Sequence, residues 1–513
     1  MVKRKTAGLL ILVLLAGFTS ILPAAVQFKM GQVDVIGTPG TSAAVNRFLG
    51  VPFAQAPIGP LRWAPPQAWD STQAVYKADK FAPACFQGPH IINWYKGVVT
   101  EFGGDPDTVI SPKIDEDCLY LNIYQPSATA DKPYPVIVFI HGGSNKGGWS
   151  YEPNYLADGL AAKGIIVVTI AYRLGVFGYY SHPDLANSNF GLLDQVMALQ
   201  WIQKHISALQ GDPGNVTVMG ESAGANNIGF LLASPLAQGL FKRVIHQSGG
   251  SGLTGRSSRL AHLKLGNRFA QQLVGAKTPD SLSKMRRIPA EKIRLTALQV
   301  YQDHYFDAVV DGQSVTRPLL ESVMENSFAG VDLLIGSNDD EWLMYLDDDP
   351  DVPFWLAENV SAKEAELLWP LLQPVLEPAR QLDLLITARS FVCPSLLLAA
   401  RLKERKQQVW VYHFLRQRQG ELAASMGAYH GAELPYVFGT HDAWLPTDAI
   451  DLRLSENMQS YWLAFAATGD PNRQGQPAWP SYRKGRPTIQ ILNNEIGSAS
   501  HSSQSLCDVL MPN

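Results

Sequence analysis

The chain has 513 residues, with 42 basic and 46 acidic side chains and a formal net charge of −4. Its 46% hydrophobic content excludes an intrinsically disordered chain, and the mild acidity argues against a nucleic-acid-binding surface. Length alone gives a prior of about three domains, whereas a charged fraction of only 17%, below the roughly 25% of an average soluble domain, suggests one large core.

In chain order, residues 1–25 come first and differ from the rest. Lys3, Arg4 and Lys5 precede an apolar run from Ala7 to Phe18, and Pro23-Ala24-Ala25 follows. This is the layout of a secretory signal peptide, with an apolar stretch too short for a stable membrane span. The expectation is a signal peptide over 1–25, one domain over 26–513, and a secreted or periplasmic protein. Loss of the three charges in 1–25 would take the net charge from −4 to −7. The four cysteines, Cys85, Cys118, Cys393 and Cys507, all lie beyond that segment and read as two disulfides in an exported protein. Three pairings are possible; the un-nested one joins Cys85 to Cys118 and Cys393 to Cys507. Their spacing suggests no structural zinc. Two Asn-x-Ser/Thr sequons occur, at Asn215 and Asn359, and the first opens a stretch that reads as a buried strand, where no sugar is expected.

Beyond the leader, short apolar runs alternate with helical patterns. Pro135–Ile140, Ile165–Ile170, Val216–Met219, Val244–Ile245, Leu333–Ile335 and Val409–Leu415 read as buried strands. Gly191–Ser207 reads as a helix with Leu192, Leu193, Val196, Leu199 and Ile202 on one face. The pattern indicates an α/β fold with a mostly parallel sheet covered by helices on both faces. Active groups in such sheets sit at the carboxyl ends of strands.

The strand at Val216–Met219 runs directly into Gly220-Glu221-Ser222-Ala223-Gly224 and then a helical pattern. A turn this tight needs near side-chain-free neighbours and lifts the Ser222 hydroxyl clear of the backbone, with the Ala223 N–H aimed at a bound carbonyl oxygen. A serine hydroxyl needs a base. His413 sits mid-strand, where a packing role fits better. His430 lies in the loop Gly427-Ala428-Tyr429-His430-Gly431-Ala432-Glu433, where flanking glycines suit a side chain that reaches across a cleft. The acid should follow another strand, and Gly336-Ser337-Asn338-Asp339-Asp340-Glu341 offers three candidates that spacing alone cannot separate. The loop His141-Gly142-Gly143-Ser144-Asn145-Lys146-Gly147-Gly148 supplies small residues whose N–H groups can approach an oxyanion. His141 more naturally holds that loop in shape than titrates.

These residues resemble the type-B carboxylesterase family of α/β-hydrolases, which includes the cholinesterases. The resemblance covers nearly the whole mature chain. It is carried by Phe48 to Ala54 with Leu61-Arg62-Trp63, by Glu116 to Asn122 around Cys118, by Asn189 to Gln195, and by Thr468 to Asn472. It implies an α/β-hydrolase fold and a serine ester hydrolase that needs no metal or organic cofactor. It selects Glu341 as the acid and His430 as the base, and places Glu221 and Ser248 beside them. It implies an oxyanion hole from the N–H groups of Gly143, Ser144 and Ala223, and it supports the un-nested disulfide pairing. The substrate class it implies is a small-molecule or lipid ester. Two alternatives are a lipase, with Trp94, Tyr95 and Phe102 in a mobile lid, and an inactive binding homologue.

Three departures stand out. Ser144 and Asn145 replace the third Gly and the Phe of the family's oxyanion loop, and Trp342 follows Glu341 in place of Gly. Trp94 lies in the Cys85–Cys118 loop without the local sequence of a choline site, so a packing role is expected of it.

Overall fold

The computed structural model describes residues 26–250, 253, 258–275, 281–302, 304–325, 327–328, 330–483 and 488–511. The leader at 1–25 lies outside the described residues. The organising element is an eleven-stranded sheet. Its strands are β1 (Thr38–Pro39), β2 (Val45–Pro52), β3 (Tyr120–Pro126), β4 (Tyr134–Ile140), β5 (Ile166–Ile170), β6 (Gly211–Glu221), β7 (Arg243–Gln247), β8 (Asp332–Asn338), β9 (Val409–Phe414), β10 (Thr488–Leu492) and β11 (Gly497–Ser500). In space they run β11-β10-β9-β8-β7-β6-β4-β5-β3-β2-β1. Every neighbouring pair from β10 across to β5 is parallel, and both edges are antiparallel.

The continuous apolar runs follow from burial on both faces. Along β4, Val136, Val138 and Ile140 enter one hydrophobic core, and Ile137 and Phe139 enter the other. β8 divides in the same way, with Leu333 and Ile335 on one side and Leu334 on the other. The helices that position the site are α1 (His90–Glu101), α2 (Phe190–His205), α3 (Ala223–Ala233), α4 (Val352–Asn359), α5 (Ala362–Leu372), α6 (Pro378–Thr387), α7 (Cys393–Glu404) and α8 (Ala449–Thr468). α2, α3 and α7 feed the first core, and α8 feeds the second through Leu454, Met458 and Trp462.

α6 and α7 form one helical run, Pro378–Glu404, interrupted by a π turn at Ala388–Val392. Pro394 explains the interruption. It has no N–H to donate, and its ring conflicts with the carbonyl one turn back, so the backbone widens just before it. This run has the length and apolarity of a membrane span, but 78% of its apolar window is buried inside the protein, which marks it as a core helix. Two disulfides, Cys85–Cys118 and Cys393–Cys507, tie the segment carrying α1 and the start of α7.

Candidate active site

β6 delivers Ser222 at its carboxyl end, immediately before α3. Ser222 has φ 55° and ψ −124°, a backbone conformation that L-residues rarely adopt. The flanking glycines are required by contact. A Cβ on Gly224 would come within 2.0 Å of the Ile140 carbonyl oxygen, and one on Gly220 within 2.8 Å of Gly224. The Ser222 N–H donates to the Gln247 carbonyl at 2.9 Å, which fixes the turn to β7.

The loop after β9 brings His430 over this turn. His430 Nε2 lies 2.8 Å from Ser222 Oγ, and Nδ1 lies 2.6 Å from Glu341 Oε2. Glu341 follows β8 and is fully buried; its other oxygen accepts the Asn338 N–H at 2.7 Å. Asp339 instead faces His413 Nε2 at 3.1 Å, and Asp340 accepts the Ala428 N–H at 2.7 Å. The three acids therefore have three different partners. His413 is buried in β9 and stacked on His501 at 4.3 Å, in keeping with a packing role.

More carboxyl groups surround the imidazole than the sequence suggested. Glu221 Oε1 lies 3.3 Å from His430 Nε2. Burial, together with Glu433 and Glu341, pushes Glu221 up to about 8 despite the opposing charge of His430. Glu433 accepts from Gln247 at 2.8 Å and Asn338 at 2.7 Å, and burial raises it too. Burial draws His430 down, but Glu221, Glu341 and Glu433 outweigh it and push it up to about 9. Glu433 stood in the same loop motif as His430, so a carboxylate was visible there without a role. Ser248 lines the cavity, yet its buried Oγ has no hydrogen-bond partner among the described residues; the structure brings it to the site but not onto Glu341.

The glycine-rich loop expected to hold the oxyanion follows β4. Gly143 and Ser144 line the cavity with Ser222 and Ala223. Ser144 and Asn145 both have positive φ, 57° and 53°, which favours glycine or asparagine. Asn145 is buried, donates to the Phe306 carbonyl at 2.7 Å and accepts from Asn227 at 2.9 Å. Asn145 thus ties the loop to Phe306 and to α3. His141 stacks on Tyr172 at 4.5 Å, and burial holds it down at about 4, so it shapes the loop and stays neutral.

These groups open into a cavity of about 610 Å³. Trp94, Trp342, Tyr345, Trp355 and Phe391 give it aromatic walls. Trp94 does more than pack: it faces the cavity from α1, and its Nε1 donates to the Tyr345 hydroxyl at 2.9 Å. Of the three aromatics considered for a lid, Trp94 and Tyr95 line the cavity, and Tyr95 and Phe102 are buried. Asn215 is held in β6 by the Ala467 carbonyl and Arg243, and Asn359 lines the cavity.

Comparison with known proteins identifies the family. The carboxylesterase family model matches residues 23–508. The chain belongs to the carboxylesterase family. This carboxylesterase is 32% identical to the para-nitrobenzyl esterase of Bacillus subtilis (strain 168), over 89% of this chain and 93% of that one. It is also 32% identical to carboxylesterase 1E of Rattus norvegicus, over 97% and 95%. A solved PNB esterase superposes with a TM-score of 0.83 at 29% identity, covering 95% of this chain and 99% of its own. The fold is that of the α/β-hydrolases, and the enzyme is a carboxylic ester hydrolase.

Proposed function

We propose that the carboxylesterase cleaves esters in two steps through an acyl-enzyme on Ser222. The observation that carries this reading is the chain of contacts Ser222–His430–Glu341, at 2.8 and 2.6 Å. Neutral His430 takes the Ser222 proton as Oγ attacks the ester carbonyl carbon. The developing oxyanion lies against the N–H groups of Gly143, Ser144 and Ala223. His430, now an imidazolium held by Glu341, gives its proton to the departing alcohol. Water then attacks the acyl-enzyme by the same route and releases the acid. Once it has lost its own proton, Glu221 sets a negative charge 3.3 Å from the imidazole Nε2.

A fluorophosphonate probe tests the reading. The wild-type enzyme should be labelled on Ser222 and Ser222→Ala should not; labelling that survives in the variant would reject the assignment. The same geometry opposes an inactive binding homologue, and the buried Tyr95 and Phe102 give the lipase lid little support. Export is part of the proposal, supported by the two disulfides. Amino-terminal sequencing of protein from the periplasm or medium should find the chain beginning after about Ala25.

A further inference from the structure

We propose that Arg389 determines specificity in this cavity and selects esters that carry a second, free carboxylate. The inference rests on the reading of Ser222, Glu341 and His430 given above, because it concerns what else the same cavity holds.

Arg389 belongs to the π turn and lines the cavity that contains Ser222. It is two residues from Phe391, whose ring centroid lies 5.4 Å from that of His430. π turns inside α-helices are frequent at functional sites because the widened turn re-aims its side chains. Here the turn is bounded by Pro394 and by Cys393, which is bonded to Cys507. The guanidinium is also held in place. It donates to Asn359 Oδ1 at 3.1 Å and sits 5.7 Å over the Trp355 ring, both partners coming from α4. A long side chain fixed in this way loses less entropy when it binds a ligand.

The surroundings favour an anion. The neighbouring walls are Trp355, Ile386 and Phe391, where a charge is poorly screened. Among the described residues, the carboxyl groups that line the cavity are Asp307, Glu152 and Glu221. Asp307 follows closely on Tyr305, whose ring lies under the Lys146 ammonium at 5.8 Å, so that wall carries its own cation. Glu152 and Glu221 are buried, and burial raises both, which disfavours their charged forms. Glu364, which feels the charge of Arg389, lies on α5 outside the cavity. A guanidinium matches a carboxylate with two parallel N–H···O bonds. One such cation among aromatic walls suits a monoanion. Hydrolysis of such an ester breaks the acyl C–O bond, adds the elements of water, and yields an alcohol, a second carboxylate and a proton.

The test compares matched charged and neutral esters. For a carboxylate on the acyl side, the pairs are monoethyl and diethyl esters of glutaric, adipic and suberic acids. For one on the alcohol side, the pair is 6-acetoxyhexanoate and n-hexyl acetate. The readout is the charged-to-neutral ratio of kcat/KM, in which any loss of folded enzyme cancels. Arg389→Gln and Arg389→Met should each lower that ratio about tenfold or more in at least one series. Ratios within twofold of wild type for both variants in both series would overturn the proposal. The assignment of Ser222 would then still stand or fall separately, on 4-nitrophenyl acetate turnover and fluorophosphonate labelling.

Discussion

Asp340 Oδ2 accepts the backbone N–H of Ala428 at 2.7 Å, and in return the Asp340 N–H donates to the Ala428 carbonyl at 3.2 Å. The residue beside Glu341 therefore grips the chain two residues before His430. Glu341 and His430 are set relative to one another by this clasp as well as by their own contact. Gly427 completes it: a Cβ there would come within 2.2 Å of Asp340 Oδ2, and φ is +62°.

Asp340→Ala removes the acceptor and leaves a buried N–H unpaired, at a cost of about 1–3 kcal/mol. The expected result is a kcat about 10- to 100-fold lower with KM little changed, since misplacement of the base weakens the transition state more than substrate binding. Asp340→Asn keeps an acceptor oxygen and should recover most of the loss. Steady-state kinetics on a short 4-nitrophenyl ester decide it; a fully active Asp340→Ala would mean that the clasp is structural only.

The direct participants should behave differently. Ser222→Ala should reduce kcat by at least about 10³. Glu341→Gln preserves shape but not charge at His430 Nδ1, and by analogy with other triads should cost about 10³–10⁴ in kcat. A variant of either residue that hydrolyses a chromogenic ester at near-wild-type rate would refute its role.

Much of this was readable in the sequence, for definite reasons. Strands buried on both faces leave continuous apolar runs, so Pro135–Ile140 and Val409–Leu415 lie within a residue of β4 and β9. A serine between strand and helix leaves flanking glycines, and Gly220 and Gly224 have no room to be otherwise. The choice among Asp339, Asp340 and Glu341 was not readable from spacing, because each points to a different segment brought up by the fold. Asp383 carried no local signal at all: it is 41 residues from Trp342, whose N–H it accepts at 2.7 Å. The π turn had one faint signal, Pro394 inside a long helical pattern.

Asp383 gives a pH-dependent prediction. Burial pushes its carboxyl up to about 8, and nearby Asp340 adds to the shift. In the unfolded chain the group titrates near 4, roughly the value of a free aspartate. Between about 4 and 8 the folded state holds a proton that the unfolded state has lost, so this group's contribution to stability falls as pH rises through that window. Asp383→Asn keeps an acceptor for Trp342 and does not titrate. The Tm of the variant relative to wild type should therefore rise from pH 5 to pH 8 and level off beyond. A difference that stays constant across thermal scans at pH 5, 7 and 9 would show that Asp383 does not bind the proton assigned to it.

The last prediction concerns the base itself. Burial disfavours charged His430, but Glu221, Glu341 and Glu433 together raise it to about 9. Only the neutral imidazole can take the Ser222 proton, so kcat/KM should climb with pH as His430 loses its own proton. Glu221 is the first of the carboxyl groups that hold this proton on, and it lies against the nitrogen that faces Ser222. Glu221→Gln removes that charge with little change in shape. The imidazole then deprotonates more easily, and the ascending limb of the kcat/KM profile should move to lower pH by about one unit. Glu433→Gln should move it the same way by less, because its charge acts on His430 more weakly. A limb that stays in place or moves to higher pH in Glu221→Gln would mean that Glu221 is uncharged when His430 titrates, and that its place beside the serine serves the shape of the turn.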